Sequence, residues 1–155
     1  MKSVAKKNWT TPNLTTLLTQ TDRIMSGGNG WHADPSLILP SGVYRGRVHV
    51  GVDLGTAYTV LMVLDENYQP IAGEYQFAQV TRDGLVVDFI GAVDLLREMK
   101  SKVEKKLGFT LTSAATAYPP GVPEAERRAT ANVLHGASLD CTGFIDEPTA
   151  ANNVL

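Results

Sequence analysis

The sequence holds a single cysteine, Cys141, in 155 residues. A lone thiol excludes an intramolecular disulfide framework and fits a reducing compartment. Charge is sparse as well: charged residues make up 19% of the chain, and the formal net charge is -2. A nucleic-acid footprint needs Lys and Arg clustered on one face, so no nucleic-acid partner is expected. No stretch approaches the ~18 consecutive apolar residues of a membrane span. Lys2, Lys6 and Lys7 open the chain, but Thr10, Thr11, Asn13, Thr15 and Thr16 break up any apolar run after them. No secretory signal is read there, and a cytoplasmic location is expected. His32, His49 and His135 have no ligand spacing among them, which gives no zinc site. Apolar side chains are abundant, at 43% of the chain, enough to build the core of one domain.

The pattern divides the chain into an N-terminal appendage, residues 1–47, partly flexible, and a compact α/β unit, residues 48–155. In the appendage, residues 12–25 can form a short helix with Leu14, Leu17, Leu18 and Ile24 roughly on one side. Breakers come next at Ser26-Gly27-Gly28-Asn29-Gly30, Asp34-Pro35 and Pro40-Ser41-Gly42. From residue 48 the chain reads as three β-rich runs, at 48–54, 59–64 and 71–78, joined by short polar turns that favour antiparallel pairing. Asp83-Gly84 turns the chain into a short extended piece. Asp88 can then cap a helix whose Phe89, Val93, Leu96, Met99, Val103 and Leu107 form one apolar stripe, ended by Gly108. The lysines from Lys100 to Lys106 read as a solvated face. A small-residue strand at 113–118 stops at Pro119-Pro120-Gly121. Pro123 suits the first turn of a further helix that ends at Gly136, with His135 beside its C-terminus. A last strand, 142–146, leads into a helix opened by Pro148. The order βββαβαβα, with its last helix only begun, is the ribonuclease-H-like plan of a mixed sheet with helices packed on it.

One local feature can carry chemistry. It is Gly51-Val52-Asp53-Leu54-Gly55-Thr56-Ala57-Tyr58, between two strands. Gly55 permits a tight turn with positive φ and close backbone approach to an anion. Thr56 and the N–H groups of Ala57 and Tyr58 can hold phosphate oxygens, and Asp53 can hold the water shell of Mg²⁺. The octapeptide alone is equally an ordinary hairpin with an aspartate at its mouth. Cys141 has no base partner near it in sequence and reads as a small, half-buried residue.

These residues resemble the first phosphate loop of the actin, sugar-kinase and heat-shock-chaperone ATPases. Two downstream segments extend the likeness to DnaK-type chaperones in order and spacing. One is Ala117-Tyr118-Pro119-Pro120-Gly121, with Arg127 eight residues after Pro119; the other is Phe144-Ile145-Asp146-Glu147-Pro148-Thr149-Ala150-Ala151. With the segment from Val80 to Val93, the chain is most similar to the EutJ family, chaperone-like proteins of ethanolamine utilisation. The resemblance implies the first lobe of an actin-like ATPase that binds ATP or ADP with Mg²⁺. It implies Asp53 for the Mg²⁺ shell, Gly55, Thr56, Ala57 and Tyr58 for the phosphates, and Glu147 as the catalytic carboxylate. Pro119 and Arg127 would couple nucleotide state to partner binding. The implied partners are ethanolamine-utilisation enzymes or microcompartment proteins, whose assembly or reactivation the protein would assist.

The chain also departs from the pattern. The chaperones carry a catalytic lysine in an insertion after the third strand; residues 79–88 are too short for it, and no lysine lies between Val48 and Met99. The second phosphate loop and the Gly-rich adenosine motif are expected beyond Leu155, so the lobe is read as incomplete, with ATPase activity belonging to a longer form. The missing lysine raises a second reading, a non-hydrolysing actin-like scaffold of the pilus-assembly type. A third is a ribonuclease-H-type nuclease, which would need Asp53, Asp88 and Asp146 or Glu147 gathered around two metals ~4 Å apart.

Overall fold

The computed structural model describes residues 14–25, 44–82 and 85–152. The breaker signals between residues 26 and 42, the Asp83-Gly84 turn, the Pro12 and Asn13 start of the first helix, and residues 153–155 lie outside the described residues.

A five-stranded sheet in the order β3-β2-β1-β6-β7 organises the molecule. β1 (His49–Leu54), β2 (Tyr58–Leu64) and β3 (Pro70–Phe77) form an antiparallel meander, as their short connections require. β4 (Thr81–Arg82) and β5 (Leu85–Val86) make a small separate pair. β6 (Ser113–Tyr118) then runs parallel to β1, and β7 (Asp140–Asp146) parallel to β6. Parallel neighbours need crossovers, and these are helices: α2 (Phe89–Leu107) before β6 and α3 (Glu124–Gly136) before β7. α1 (Leu14–Met25) lies against β3, and α4 (Glu147–Asn152) leaves the end of β7. The expected mixed sheet with helices packed on it is present, with the β4–β5 pair added between β3 and α2.

The core lies on one side of the sheet. Val52, Leu54, Leu61, Val63 and Ala114 point to it from the strands, and Val93, Leu96, Met99, Val103, Leu107, Val133 and Leu134 meet them from α2 and α3. Burying one such side chain contributes ~1.5–3 kcal/mol, so the α2 stripe alone is a major part of the stability. Phe89, the first member of the expected stripe and the first residue of α2, is 44% exposed rather than part of the core. The opposite face of the sheet presents Gly51, Asp53 and Ala115, all exposed. Tyr44, in the stretch read as appendage, is buried in the core and donates its N–H to the Leu107 carbonyl at 3.0 Å.

The caps of α2 match the sequence signals. Asp88 accepts the Gly91 N–H at 2.9 Å, and Gly108 is left-handed at φ 77, with its N–H on the Glu104 carbonyl. One expectation is corrected: Lys100 is buried rather than solvated, because its Nζ lies 2.7 Å from Glu104 Oε1, one turn on. Gly136 ends α3 as expected, while the positive φ beyond it falls on Ser138. A β-carbon on Gly136 would lie 2.7 Å from Val93 Cγ2, so glycine is there to let α3 approach α2.

Candidate functional site

Because β1, β6 and β7 are parallel, their carboxyl ends open on the same edge of the sheet, where α/β folds commonly bind ligands. These ends deliver Asp53 and Gly55, Tyr118 and Pro119, and Asp146 and Glu147.

Gly55 begins the connection from β1 to β2. Its N–H donates to the Tyr58 carbonyl at 3.0 Å, leaving Thr56 and Ala57 at an exposed tip. Gly55 is not among the glycines with positive φ, so conformational freedom is not what the turn needs from it. The reason is steric: a β-carbon would sit 2.6 Å from the Tyr58 carbonyl oxygen. The tip is braced from the next segment, where Ala78 N–H donates to the Ala57 carbonyl at 3.1 Å and Thr81 Oγ1 to the Leu54 carbonyl at 3.4 Å. The Tyr58 side chain turns away to the open face and meets Phe77 edge-on at 5.5 Å and Tyr75 at 5.9 Å.

Asp53 stands on the open face, yet its backing of sheet strips away enough water to push its carboxyl above the usual range. Glu147, the first residue of α4, is also pushed up, first by burial and then by the negative charge of Asp53. The fold thus brings two carboxylates ninety-four positions apart into electrostatic contact. A cation between them would relieve that repulsion, and the Gly55 turn begins two residues after Asp53. The donor chemistry fits a hydrated Mg²⁺ next to phosphate. Asp146 is held differently. Its carboxyl drops below the ordinary value because Thr149 hydrogen-bonds it, the Thr149 N–H donating to Oδ1 at 3.0 Å and so capping α4. Among the described residues, no group of three His, Cys, Asp or Glu side chains could hold a metal, so the carboxylate cluster of a nuclease is not assembled there.

Pro119 comes directly after β6, and Arg127 lies on α3 above the same strand end. Arg127 is half-buried rather than solvated. Its Cζ lies 5.1 Å from the centre of the Tyr118 ring and its Nη1 3.4 Å from the Tyr118 hydroxyl. Phe144 of β7 meets the same ring at 4.6 Å. The sequence motifs include Tyr118 without assigning it a part; its sign was an aromatic residue in an otherwise small-residue strand, SAATAY. His135 Nε2 accepts the Cys141 N–H at 3.3 Å, and burial pushes the half-buried Cys141 thiol up, away from nucleophilic use.

A protein-family model described as "Hsp70 protein" matches residues 86–153. The chain is 46% identical over 106 residues to the ethanolamine utilization protein EutJ of Salmonella typhimurium, covering 68% of this chain and 37% of that protein. EutJ of Escherichia coli K12 is 42% identical over the same length. The crystal structure of EutJ from Carboxydothermus hydrogenoformans superposes with a TM-score of 0.73 at 40% identity, over 90% of this chain and 47% of that one. A chaperone protein HscA homolog of Laribacter hongkongensis is 36% identical over 72 residues, 46% of this chain and 12% of that protein. The chain spans less than half the length of the EutJ proteins it matches. The chain is homologous to EutJ over most of its residues, and its fold matches part of an actin/Hsp70-type ATPase domain.

Proposed function

We propose that this chain forms the phosphate-gripping lobe of a protein that binds ATP or ADP with Mg²⁺ and serves ethanolamine utilisation as a chaperone-like factor. The observation that supports this best is the placement of Asp53, followed by the Gly55 turn, and of Glu147 at the carboxyl ends of parallel strands, where the charge of Asp53 acts on Glu147. Gly55 keeps the turn narrow, while Thr56 and the N–H groups of Ala57 and Tyr58 receive phosphate oxygens. Asp53 holds the ion's water shell, and Glu147 orients water from the opposite side. Mg²⁺, when bound, offsets carboxylate and phosphate charge together. Pro119 and Arg127 transmit the state of the site to the surface that binds partners. Those partners are enzymes of the pathway or of its microcompartment, met in the cytoplasm, whose assembly or reactivation the protein assists.

A second reading, a non-hydrolysing actin-like scaffold, is favoured by one observation: no lysine stands between Val48 and Met99. Titration calorimetry with MgADP tests the site. Binding that weakens in Gly55→Val and in Asp53→Asn supports the phosphate reading, and equal affinity in all three proteins sinks it. Phosphate release by a longer form carrying the rest of the domain separates chaperone ATPase from scaffold.

A further inference from the structure

Tyr118 joins three elements at the end of β6. Its ring lies against the Arg127 guanidinium of α3 at 5.1 Å and against Phe144 of β7 at 4.6 Å, and its hydroxyl is 3.4 Å from Arg127 Nη1. In the parallel register Tyr118 stands opposite Asp146. Asp146 caps α4 through the Thr149 N–H, and Glu147 is the next residue along. The described part of α4 has no buried side chain and packs mainly against β6 and β7, so the strand ends beneath it set its position. Arg127 Nε is buried with no hydrogen-bond partner among the described residues, so the guanidinium is held there by the aromatic ring and one long bond rather than by a carboxylate. A cation on an aromatic face away from bulk water is held more firmly than an exposed one.

We propose that Tyr118 is a positioning residue: clamped by Arg127 and Phe144, it fixes the ends of β6 and β7 and thereby the start of α4, which carries Glu147. This rests on the reading of Glu147 as a site carboxylate. The clamp itself can be tested without nucleotide or metal, so its failure and the failure of that reading are distinguishable.

The experiment is amide exchange by NMR on the whole chain, read at Thr149, along β6 and β7, and along α2 as an internal control. In Tyr118→Leu the Thr149 amide is expected to exchange about tenfold faster, with α2 unchanged, because a local opening need not involve the core. Tyr118→Phe, which keeps the ring, should stay close to the parent protein. Arg127→Met removes the cation without touching the strand and should reproduce the effect of Tyr118→Leu, even if that variant folds poorly. Parental exchange at Thr149 in both Tyr118→Leu and Arg127→Met overturns the proposal, as does an equal acceleration of α2, which would mark a purely global loss of stability. If the clamp behaves as expected while MgADP affinity is indifferent to Gly55 and Asp53, the phosphate reading falls and the positioning of α4 stands.

Discussion

The Gly55 N–H donates to the Tyr58 carbonyl at 3.0 Å, and a β-carbon on Gly55 would lie 2.6 Å from that same oxygen. The hydrogen bond and the missing side chain are one device, since the bond can be this close only without a Cβ. Gly55→Ala should therefore open the turn and cost about 1–3 kcal/mol, the range for forced overpacking. Denaturant unfolding checks the stability. An unchanged midpoint would show that the turn has slack.

Glu104 serves two buried partners with one oxygen. Its Oε1 lies 2.7 Å from Lys100 Nζ and accepts the Leu111 N–H at 2.7 Å. Glu104→Ala leaves the buried ammonium and the amide without their acceptor, and should cost about 3 kcal/mol, as for removal of one member of a buried pair. Glu104→Ala combined with Lys100→Met should recover much of the loss, because no charge is then left buried. Thermal unfolding of the single and double variants measures both.

Thr59 is wholly buried, and its Oγ1 has no hydrogen-bond partner among the described residues. Thr59→Val keeps the shape and removes the unsatisfied hydroxyl, so it should stabilise the protein by about 1 kcal/mol. A lower unfolding midpoint in the variant would reveal a partner for that hydroxyl.

The carboxyls of Asp53 and Glu147 titrate above their ordinary values when folded. Between the unfolded value and the raised folded value, the native state binds more protons than the unfolded one, so stability falls as pH rises through that window. The penalty is complete above the folded values. Glu147→Gln should accordingly raise the melting temperature near neutral pH and lose this advantage in acid, below the unfolded carboxylate range. Asp146 has the opposite sign: its carboxyl is lowered by Thr149, so its contribution is present above the unfolded value and disappears as pH falls through the folded one. Melting temperatures of the parent protein, Glu147→Gln and Asp146→Asn across an acid-to-neutral series test both signs.

Much of the fold was legible because short-range chemistry determines it. The apolar run of β2, the apolar stripe of α2 between Asp88 and Gly108, and the strand stop before Pro119 can each be read within one element. Long-range packing, by contrast, leaves little trace in local periodicity. Lys100 looked solvated because its partner Glu104 reads as another surface charge, and their burial depends on how α2 meets the rest of the chain. Gly136 was legible as the end of α3, but only the approach of Val93 shows why no side chain fits there. Gly55 was expected for its conformational freedom, whereas the turn needs it for space.

By itself the sequence determined most of the elements and the residues that start and stop them, because propensity, capping and periodicity act over a few neighbouring positions. The tertiary structure alone decided which residues meet. It set β1, β6 and β7 parallel, so that Asp53 raises the carboxyl of Glu147, and it laid Arg127 on Tyr118. Such contacts arise from sheet order and helix crossover, and these result from burying one face of the whole sheet at once.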